Sequence, residues 1–491
     1  MKLNIGSKVK KMIQNWLNIV PASEQSVVLM ENMTFHTEVL RSQIWYRGEA
    51  DELFQFFRQL SRNGAKSGFW ESVPTNEQVR KIHSGLPAIV ADTLAYIVSS
   101  DLDNVDTDRP EWEEIAQQID FQRIVNKCVI DTLVDGDGAF KISVDTDLSP
   151  YPIVEYIGAD KVEYEQSRGI VTAVVFKTMY TVRSKRYILQ ERYGKGFIES
   201  KLYDDSGNEK PLSMIPELAD IPERVEFAGD YIMAVPVKFF ESKKYSGRGK
   251  SIFDGGKSDC FDALDEVISQ WWDAIRAGRV GKYIPEDMIP RNPQNGELMP
   301  VNSFGTSFIT VASVINENST ENRKIEVVQP DIKYEAFVSA YTNAMLMCLQ
   351  GLVSPATLGI DVGKMSSADA QREKKDVTGN TRNAITTALE KVLPKLVEAV
   401  LKTYDNMNGK TPADCGEISV SFGEYGAPDF DSRVETVGKA STYGIMSVET
   451  QVEELWGSSK DDEWKSAEVS RIMNEKGLTE GTASAVGDEL A

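Results

Sequence analysis

The chain has 491 residues and is strongly acidic, because 75 aspartates and glutamates against 54 lysines and arginines give a formal net charge of −21. A chain of this length can bury a large core, whereas its charge disfavours a protein that grips nucleic acid phosphates over its whole surface. Only two histidines are present, which excludes a His-rich metal site and disfavours a Ser–His or Cys–His catalytic pair. We therefore expect no catalytic residue, no cofactor and no metal.

The first 30 residues are predicted to form an N-terminal arm. One helical face of residues 2–20 is apolar, with four lysines nearby: Val9, Met12, Ile13, Trp16, Leu17 and Val20, beside Lys2, Lys8, Lys10 and Lys11. This pattern fits a helix on a membrane surface or a helix docked onto the protein or a neighbour, and we favour docking. No uninterrupted apolar segment follows the lysines and no run of 18 apolar residues exists, so neither a signal peptide nor a membrane span is predicted.

Residues 31–255 are predicted to combine helices with an antiparallel sheet. Apolar residues at helical spacing predict helices over 50–60, 83–99 and 111–133. Residues 101–108 hold four aspartates, but Asp106 stands where a calcium loop needs glycine, so we predict a solvated turn. Residues 139–144 alternate as a strand does, and short links predict antiparallel strands onward to about residue 237.

Two Gly-Lys-Ser turns invite comparison with a phosphate-binding loop. They are Gly249-Lys250-Ser251 and Gly256-Lys257-Ser258. A phosphate-binding loop needs a further glycine five residues before the glycine of Gly-Lys-Ser. Lys244 and Ser251 occupy that position before the first and second turn, respectively. We interpret both as structural turns, the second opening a helix with Ser258 as its N-cap.

Two amphipathic helices bracket a segment of different character. The first, over about 259–277, has an apolar stripe opposite the acidic residues Asp262, Asp265, Glu266 and Asp273. The second, over about 333–352, has an apolar face that includes Tyr334 and Tyr341. We expect the two helices to pack together. Between them, prolines and two predicted strands, over 307–315 and 324–328, indicate a compact β insertion.

A loop over residues 353–367 follows the second helix. Pro355, Gly359 and Gly363 break helical structure, yet Leu358, Ile360 and Val362 are apolar, which is unusual for a solvated linker. It is either a connector packed on its own domain or a protruding loop that contacts another molecule, and we favour the second. The helix that follows is predicted to begin at Ser366–Ser367 and continue to about Tyr404, with a kink at Pro394.

The C-terminal part is predicted to hold a strand over 417–422, then a cluster of short helices. Helices are expected from Asp429, after the N-cap Ser447, and over 462–476. Residues 477–491 are small and polar, which predicts disorder. The four cysteines contain no CxxC pair and predict reduced, mostly buried thiols: Cys128, Cys260, Cys348 and Cys415.

Three parts of the sequence resemble the portal proteins of tailed bacteriophages, most closely those of long-tailed phages of Gram-positive bacteria. They are the loop sequence GLVSPATLGIDVGKMSSADAQREKK, residues 247–290 and the later sequence YGIMSVETQVEELW. The resemblance covers about residues 30–475 as an order of elements. It implies an α+β portal-protein fold. Its parts would be the arm 1–30, wing 31–255, stem helix 256–280, clip 281–331, stem helix 332–352, tunnel loop 353–367, long kinked wing helix and strand 368–428, helical crown 429–476 and tail 477–491.

The resemblance implies a non-enzymatic ring of about twelve copies at one capsid vertex. Double-stranded DNA would pass through it during packaging and ejection, and the partners would be the terminase large subunit, the head–tail adaptor and the major capsid and scaffolding proteins, with no membrane. The protein would lie in the virion, and in the host cytoplasm during assembly. Another phage head–tail component, or a nucleotide-binding enzyme, are the alternatives that we weigh against it.

The resemblance also implies functional positions. The tunnel loop would contribute DNA-channel residues, among which Lys364 is the one cation: Leu358, Gly359, Ile360, Asp361, Val362, Gly363, Lys364 and Met365. The clip would dock partners through its polar turn: Asn316, Glu317, Asn318, Glu321, Asn322 and Arg323. The stem helices would bring an acidic face near the channel axis, repelling DNA so that it slides.

Overall fold

The structure is a computed structural model that describes residues 33–61, 68–71, 80–278, 281–285, 294, 296, 307–311, 326–328, 332–360, 368–423, 430–457 and 460–475. It mixes helices and strands, as the sequence predicts. The chain divides into two compact units, Met1–Phe422 and Gly423–Ala491. Residues 1–30, 316–323 and 477–491, predicted as an arm, the polar turn of a clip and a tail, lie outside the described residues.

Three helices open the larger unit: α1 (Phe35–Arg47), α2 (Ala50–Ser61) and α3 (Leu86–Ser100). The third begins three residues later than predicted because Gly85 adopts φ +71°, a left-handed conformation that a helix cannot include. Its apolar residues Val90, Leu94 and Val98 are fully buried and face the core. His83, predicted to lie in this helix, is instead in the segment that precedes it.

The single helix predicted over 111–133 is wrong, because the chain forms α4 (Glu111–Gln118) and α5 (Phe121–Asp135). The break is at Asp120, whose φ of +54° lies in the left-handed region that Asp tolerates better than most residues. Breaking the helix brings the rings of Trp112 and Phe121 edge to face, with centroids 5.2 Å apart. The apolar spacing continues across the break, so the sequence does not reveal it.

The solvated turn predicted over 101–108 is also wrong. Residues Leu102–Asp106 form strand β1, which pairs antiparallel with β14 (Ser419–Phe422). Leu102 and Val105 pack against the core, which a solvated turn would not do. The strand predicted over 417–422 is confirmed, and it supplies the partner that the local sequence of β1 could not indicate.

Antiparallel strands fill residues 137–238, as predicted. Three of them form one sheet in the order β10-β2-β3, with β2 (Asp137–Ser143), β3 (Ile153–Gly158) and β10 (Ala234–Lys238). A second sheet follows the order β4-β5-β6-β7-β8, with β9 paired to β7. Its strands are β4 (Val162–Ser167), β5 (Ile170–Val182), β6 (Lys185–Gly194), β7 (Phe197–Asp204), β8 (Glu209–Lys210) and β9 (Arg224–Glu226).

Helices α6 (Lys257–Ala277) and α7 (Tyr334–Leu349) bracket a three-stranded sheet in the order β12-β11-β13. Its strands are β11 (Gly281–Pro285), β12 (Ser307–Val311) and β13 (Glu326–Val328), the first parallel to the second and antiparallel to the third. The predicted β insertion is confirmed, although β11 was not predicted. Ser258 is not the N-cap of α6, because Gly256 takes that position with φ +87° and the helix begins at Lys257.

The longest helix is α8 (Ala368–Met407), 40 residues with Pro394 inside it. Its apolar side is buried as predicted: Ile385, Leu389, Leu393, Leu396, Val397, Val400 and Leu401. Residues 366–367, predicted to cap it, lie outside the described part. Three of the four cysteines are buried, and all four are free thiols, as predicted.

The smaller unit contains α9 (Phe430–Thr442), α10 (Val448–Trp456) and α11 (Asp462–Glu475). The Oγ of Ser447 accepts a hydrogen bond from the Thr450 N–H at 3.3 Å, so the predicted N-cap is confirmed. Trp456 and Trp464 join α10 to α11 by an edge-to-face contact at 5.5 Å between centroids. Among the described helices of the whole chain, none is long and apolar enough to cross a membrane.

Candidate functional site: the helical hairpin and its loop

Helices α6 and α7 form an antiparallel pair, which we call the helical hairpin. Near one end, Trp271 lies parallel to Phe337, with ring centroids 6.3 Å apart, and also contacts Tyr334 and Tyr341. At the other end, the beginning of α6 lies beside the end of α7. The predicted packing of these helices is confirmed. At the usual rise of an α-helix, the longer member is about 30 Å long.

Lys257 fastens the end of the hairpin where α7 finishes. Its Nζ donates to the carbonyl oxygens of Met347, Cys348 and Gln350 at 2.8, 3.1 and 2.7 Å. The last carbonyls of a helix have no partner inside the helix and carry partial negative charge, so an ammonium group stabilises them. Burial lowers the pKa of Lys257. This lysine of the Gly-Lys-Ser turn therefore has a structural role.

Two of the acids predicted on the polar face of α6 point into the protein. The carboxylate of Asp262 accepts hydrogen bonds from the backbone N–H groups of Phe69 and Trp70, at 2.7 and 3.1 Å. Burial raises the pKa of Asp262. Because its oxygens hold a neighbouring segment, Asp262 does not belong to a solvent-facing acidic surface.

Asp265 is more deeply enclosed, with 0% of its surface exposed. It accepts hydrogen bonds from Trp70 Nε1 at 3.1 Å and from the Ser84 N–H at 2.8 Å, and it lies 2.7 Å from His83 Nδ1. Of the four predicted acids, Glu266 and Asp273 are only partly buried, and Glu266 accepts a bond from Gln270. The exposed acidic surface of α6 is smaller than the sequence indicates.

Ser269 completes this row, one turn beyond Asp265, and was not predicted. Its Oγ accepts the Ile82 N–H at 2.9 Å and donates to the Asp265 carbonyl at 2.7 Å. Residues 262, 265 and 269 recur at helical spacing, so they face one side of α6. Together they bind segments 69–70 and 82–84, and we call the row the polar clamp.

The first half of the loop is packed on the core. The Ser354 N–H donates to Thr378 Oγ1 of α8 at 2.9 Å, and a 3₁₀ turn spans Pro355–Leu358. Leu358 and Ile360 pack against the main core, while Gly359 adopts φ +68° with open space around it. For residues 353–360 the favoured interpretation of a protruding loop is therefore wrong, and the connector interpretation fits.

Several predicted functional residues lie outside the described part of the chain. In the loop these are Asp361, Val362, Gly363, Lys364 and Met365. In the β insertion they are Asn316, Glu317, Asn318, Glu321, Asn322 and Arg323. Their predicted roles stay predictions.

The first Gly-Lys-Ser turn is used for internal contacts. The Gly249 N–H donates to Asp137 Oδ2 at 2.6 Å, and Arg248 donates to Asp137 Oδ1 at 2.9 Å. A Cβ atom at Gly249 would lie 2.0 Å from the carbonyl oxygen of Gly136. A phosphate-binding loop needs its amides free for the ligand, and this amide is bound to a buried carboxylate. The structural interpretation of the turn is supported.

Comparisons with known proteins give weak likenesses only. No known protein family matches the sequence, and no curated protein matches it. A chain from the virion of a native gene transfer agent (GTA) particle is similar at 10% identity and a TM-score of 0.37, covering 91% of this chain and 96% of its own length.

Two further solved structures show similar values. They are the neck of an empty GTA particle computed with C6 symmetry, at 11% identity and TM-score 0.37 over 80% of this chain and 96% of that chain, and the neck of a native GTA particle computed with C12 symmetry, at 11% identity and TM-score 0.38 over 86% and 98%. Likeness at this level decides neither fold nor function, which rest on this chain's own residues.

Proposed function

We propose that this protein is the portal of a tailed phage. Copies assemble into a ring at one capsid vertex, through which double-stranded DNA enters and leaves. The ring docks the terminase large subunit and later the head–tail adaptor, within the virion and, during assembly, in the host cytoplasm. The role is structural and involves no catalysis. The observation that carries the proposal is the order of elements: an antiparallel helical hairpin encloses a three-stranded sheet and leads through a short loop into a 40-residue helix.

The surface of the helical hairpin supports assembly. Trp272 on α6 and Tyr334 on α7 expose 56% and 62% of their surfaces, and Ile275 and Met347 are also exposed. Exposed apolar patches mark interaction surfaces, and Trp272, Ile275 and Tyr334 all lie toward the end of the helical hairpin where Trp271 contacts Tyr334. In a ring, each helical hairpin would lie between the helical hairpins of two neighbouring copies, and these copies would shield the exposed side chains from water.

The charge of the chain supports a conduit. Duplex DNA carries one phosphate charge per ~1.7 Å of its axis, so a strongly cationic channel would hold it. A net charge of −21 per chain instead favours weak contact and sliding. Because Asp262 and Asp265 are enclosed, Glu266, Asp273 and the residues of the loop beyond Ile360 would provide the charge at the channel wall.

Electron microscopy of negatively stained protein, together with native mass measurement, tests the proposal. The expected result is a closed ring of about twelve copies. Replacing Trp272 and Tyr334 by serine should shift the population toward smaller species, whereas serine at Tyr96, which is 71% exposed on α3, serves as the control. A particle that stays monomeric at every protein and salt concentration would contradict the proposal. Rings built from a different number of copies would not.

The role of the loop is tested by Lys364→Glu. We expect shorter packaged genomes in phage that carry this variant, because the loop would lose its one cation near the DNA. Lys391→Glu, at an exposed position of α8, is the matched control. Genomes of normal length from the Lys364 variant would remove this residue from the mechanism while leaving the ring itself untouched.

A further inference from the structure

Two β-hairpins of the same sheet differ in the chemistry of their turns. The β4–β5 turn is Arg168-Gly169 and the β5–β6 turn is Arg183-Ser184, each flanked by the last paired residues of its strands. All four turn residues have positive φ, at 52°, 82°, 50° and 62° in chain order. Two-residue turns of this kind favour glycine, which has no Cβ to clash. The β5–β6 turn therefore has two non-glycine residues with a strained backbone conformation, whereas the β4–β5 turn has one.

The strained turn is also the most cationic part of its sheet. Arg183, Lys185 and Arg186 fall within four residues of a chain whose net charge is −21. All three are exposed, and Arg186 has an ion pair with Asp205 at 3.4 Å. Within the described part of the chain, Arg183 and Lys185 form no ion pair. We call residues 183–186 the hairpin tip.

The hairpin tip projects beyond its neighbouring strands. Strand β4 pairs with β5 only as far as Phe176, and β7 pairs with β6 only from Tyr187 onward. A small apolar cluster supports the base of the projection, and it includes Tyr180, Tyr187, Leu189 and Leu202 with residues of the two 3₁₀ turns after β8. The tip is thus supported at its base and exposed at its end. Backbone strain that persists on such a support is typical of contact sites.

We propose that the hairpin tip of one copy binds the acidic groove of a second copy, an inference that rests on the proposed ring. The acidic groove lies between β1 and α4, has a volume of about 520 Å³ and is lined by Asp106 and Glu113 beside Trp112 and Phe121. Arg109 also lines the groove, but its charge is paired with Glu111 and Asp405. Within the described residues, neither Asp106 nor Glu113 forms an ion pair, and both are exposed.

The pairing explains how strongly acidic copies associate. Chains of charge −21 repel one another, and a local contact of opposite charge offsets this where the copies meet. The tip and the groove are different surfaces of one chain, so the contact is head to tail. Head-to-tail contacts generate rings when the rotation between copies closes.

A charge-reversal experiment tests the pairing. In Arg183→Glu/Lys185→Glu, the concentration for half-assembly should rise by about tenfold or more, because attraction becomes repulsion. Adding Asp106→Lys/Glu113→Lys in the same chain should restore assembly. The matched control is Arg168→Glu/Lys195→Glu, which reverses two cations at other turns of the sheet. Thermal unfolding verifies that each variant is folded.

The outcomes separate the pairing from the ring. Restoration by the second pair of changes, with a control that assembles normally, would support the inference. Unchanged assembly of the tip variant, equal loss in the control, or a loss that the groove changes do not repair would each overturn it. Absence of a ring in the unaltered protein would instead refute the proposed function.

Discussion

The Nδ1 atom of His83 lies 2.7 Å from Oδ2 of Asp265, a carboxylate with no exposed surface. This contact is the centre of the polar clamp, which joins α6 to the segments before α3. Directional bonds of this kind fix the position of α6 along its own axis. Apolar contacts alone would tolerate sliding along the helix axis.

The polar clamp predicts a large loss of stability for Asp265→Ala. The Ser84 N–H and Trp70 Nε1 would lose their acceptor, and unsatisfied buried donors cost about 1–3 kcal/mol each. We expect the free energy of unfolding to fall by about 3 kcal/mol or more in urea titrations. Asp273→Ala, at a partly buried position of the same helix, should change it by less than about 0.5 kcal/mol. Equal effects at the two positions would show that Asp265 has no special structural role.

Lys257→Met should loosen the end of the helical hairpin. Methionine keeps the apolar stem of the side chain but removes the ammonium that donates to three carbonyls. We expect the free energy of unfolding to fall by about 1–2 kcal/mol. Hydrogen exchange of the last turn of α7 should also become faster. Lys391→Met provides the comparison on an exposed face, and exchange that is the same in both variants would contradict the capping role.

Asp135 predicts a specific pH dependence of stability. It is buried at the end of α5, where Gln43 Nε2 donates to it at 3.0 Å, and burial raises its pKa to about 8. In the unfolded chain the pKa of an aspartate is about 3.9. The contribution of Asp135 to the free energy of unfolding is therefore fully present below about pH 4 and is lost progressively as the pH rises to about 8.

The variant Asp135→Asn removes this titration and should flatten the stability curve between about pH 5 and pH 8. Gln43 can turn its amide to bond the new side chain, so the fold should persist. Urea titrations across this range measure the difference between the two proteins. Asp230→Asn, at an exposed ion pair with Lys195, should leave the slope unchanged. A wild-type slope that survives in Asp135→Asn would assign the dependence to other groups.

Ser184→Gly should stabilise the protein. A left-handed conformation costs a non-glycine residue about 1–2 kcal/mol, and part of this is offset because glycine makes the unfolded chain more flexible. We expect a gain of about 0.5–1 kcal/mol in the free energy of unfolding. Gly169→Ser at the equivalent position of the β4–β5 turn should show the opposite sign. A loss of stability in Ser184→Gly would mean that the serine side chain has a folding role.

Local pattern was sufficient for most elements and insufficient for the contacts between distant ones. The stripe that includes Phe261, Leu264 and Trp271 predicted α6 and its packing on α7. The roles of Asp262 and Asp265 could not be predicted, because their partners are three backbone N–H groups and the side chains of Trp70 and His83, all more than 180 residues earlier in the chain. The local sequence around an acid on the polar side of a helix is the same whether the acid faces water or accepts hydrogen bonds from a distant segment of the chain.

The loop shows a second kind of limit. The apolar Leu358 and Ile360 correctly indicated that the loop contacts something, and the structure shows that for this half it is the chain's own core. Apolar character predicts burial without naming the partner. Thr378, which fixes the loop through its hydroxyl, lies 24 residues after Ser354, and nothing in the local sequence indicates the bond between them.

The pairing of β1 with β14 has a consequence for biosynthesis. The two strands are more than 300 positions apart, so on the ribosome β1 emerges long before its partner has been translated. Contacts of such separation form slowly, and until then an open strand edge can join a neighbouring nascent chain. Premature termination before Ser419 would leave that edge permanently open, which makes truncated products of this gene candidates for aggregation and removal by proteases.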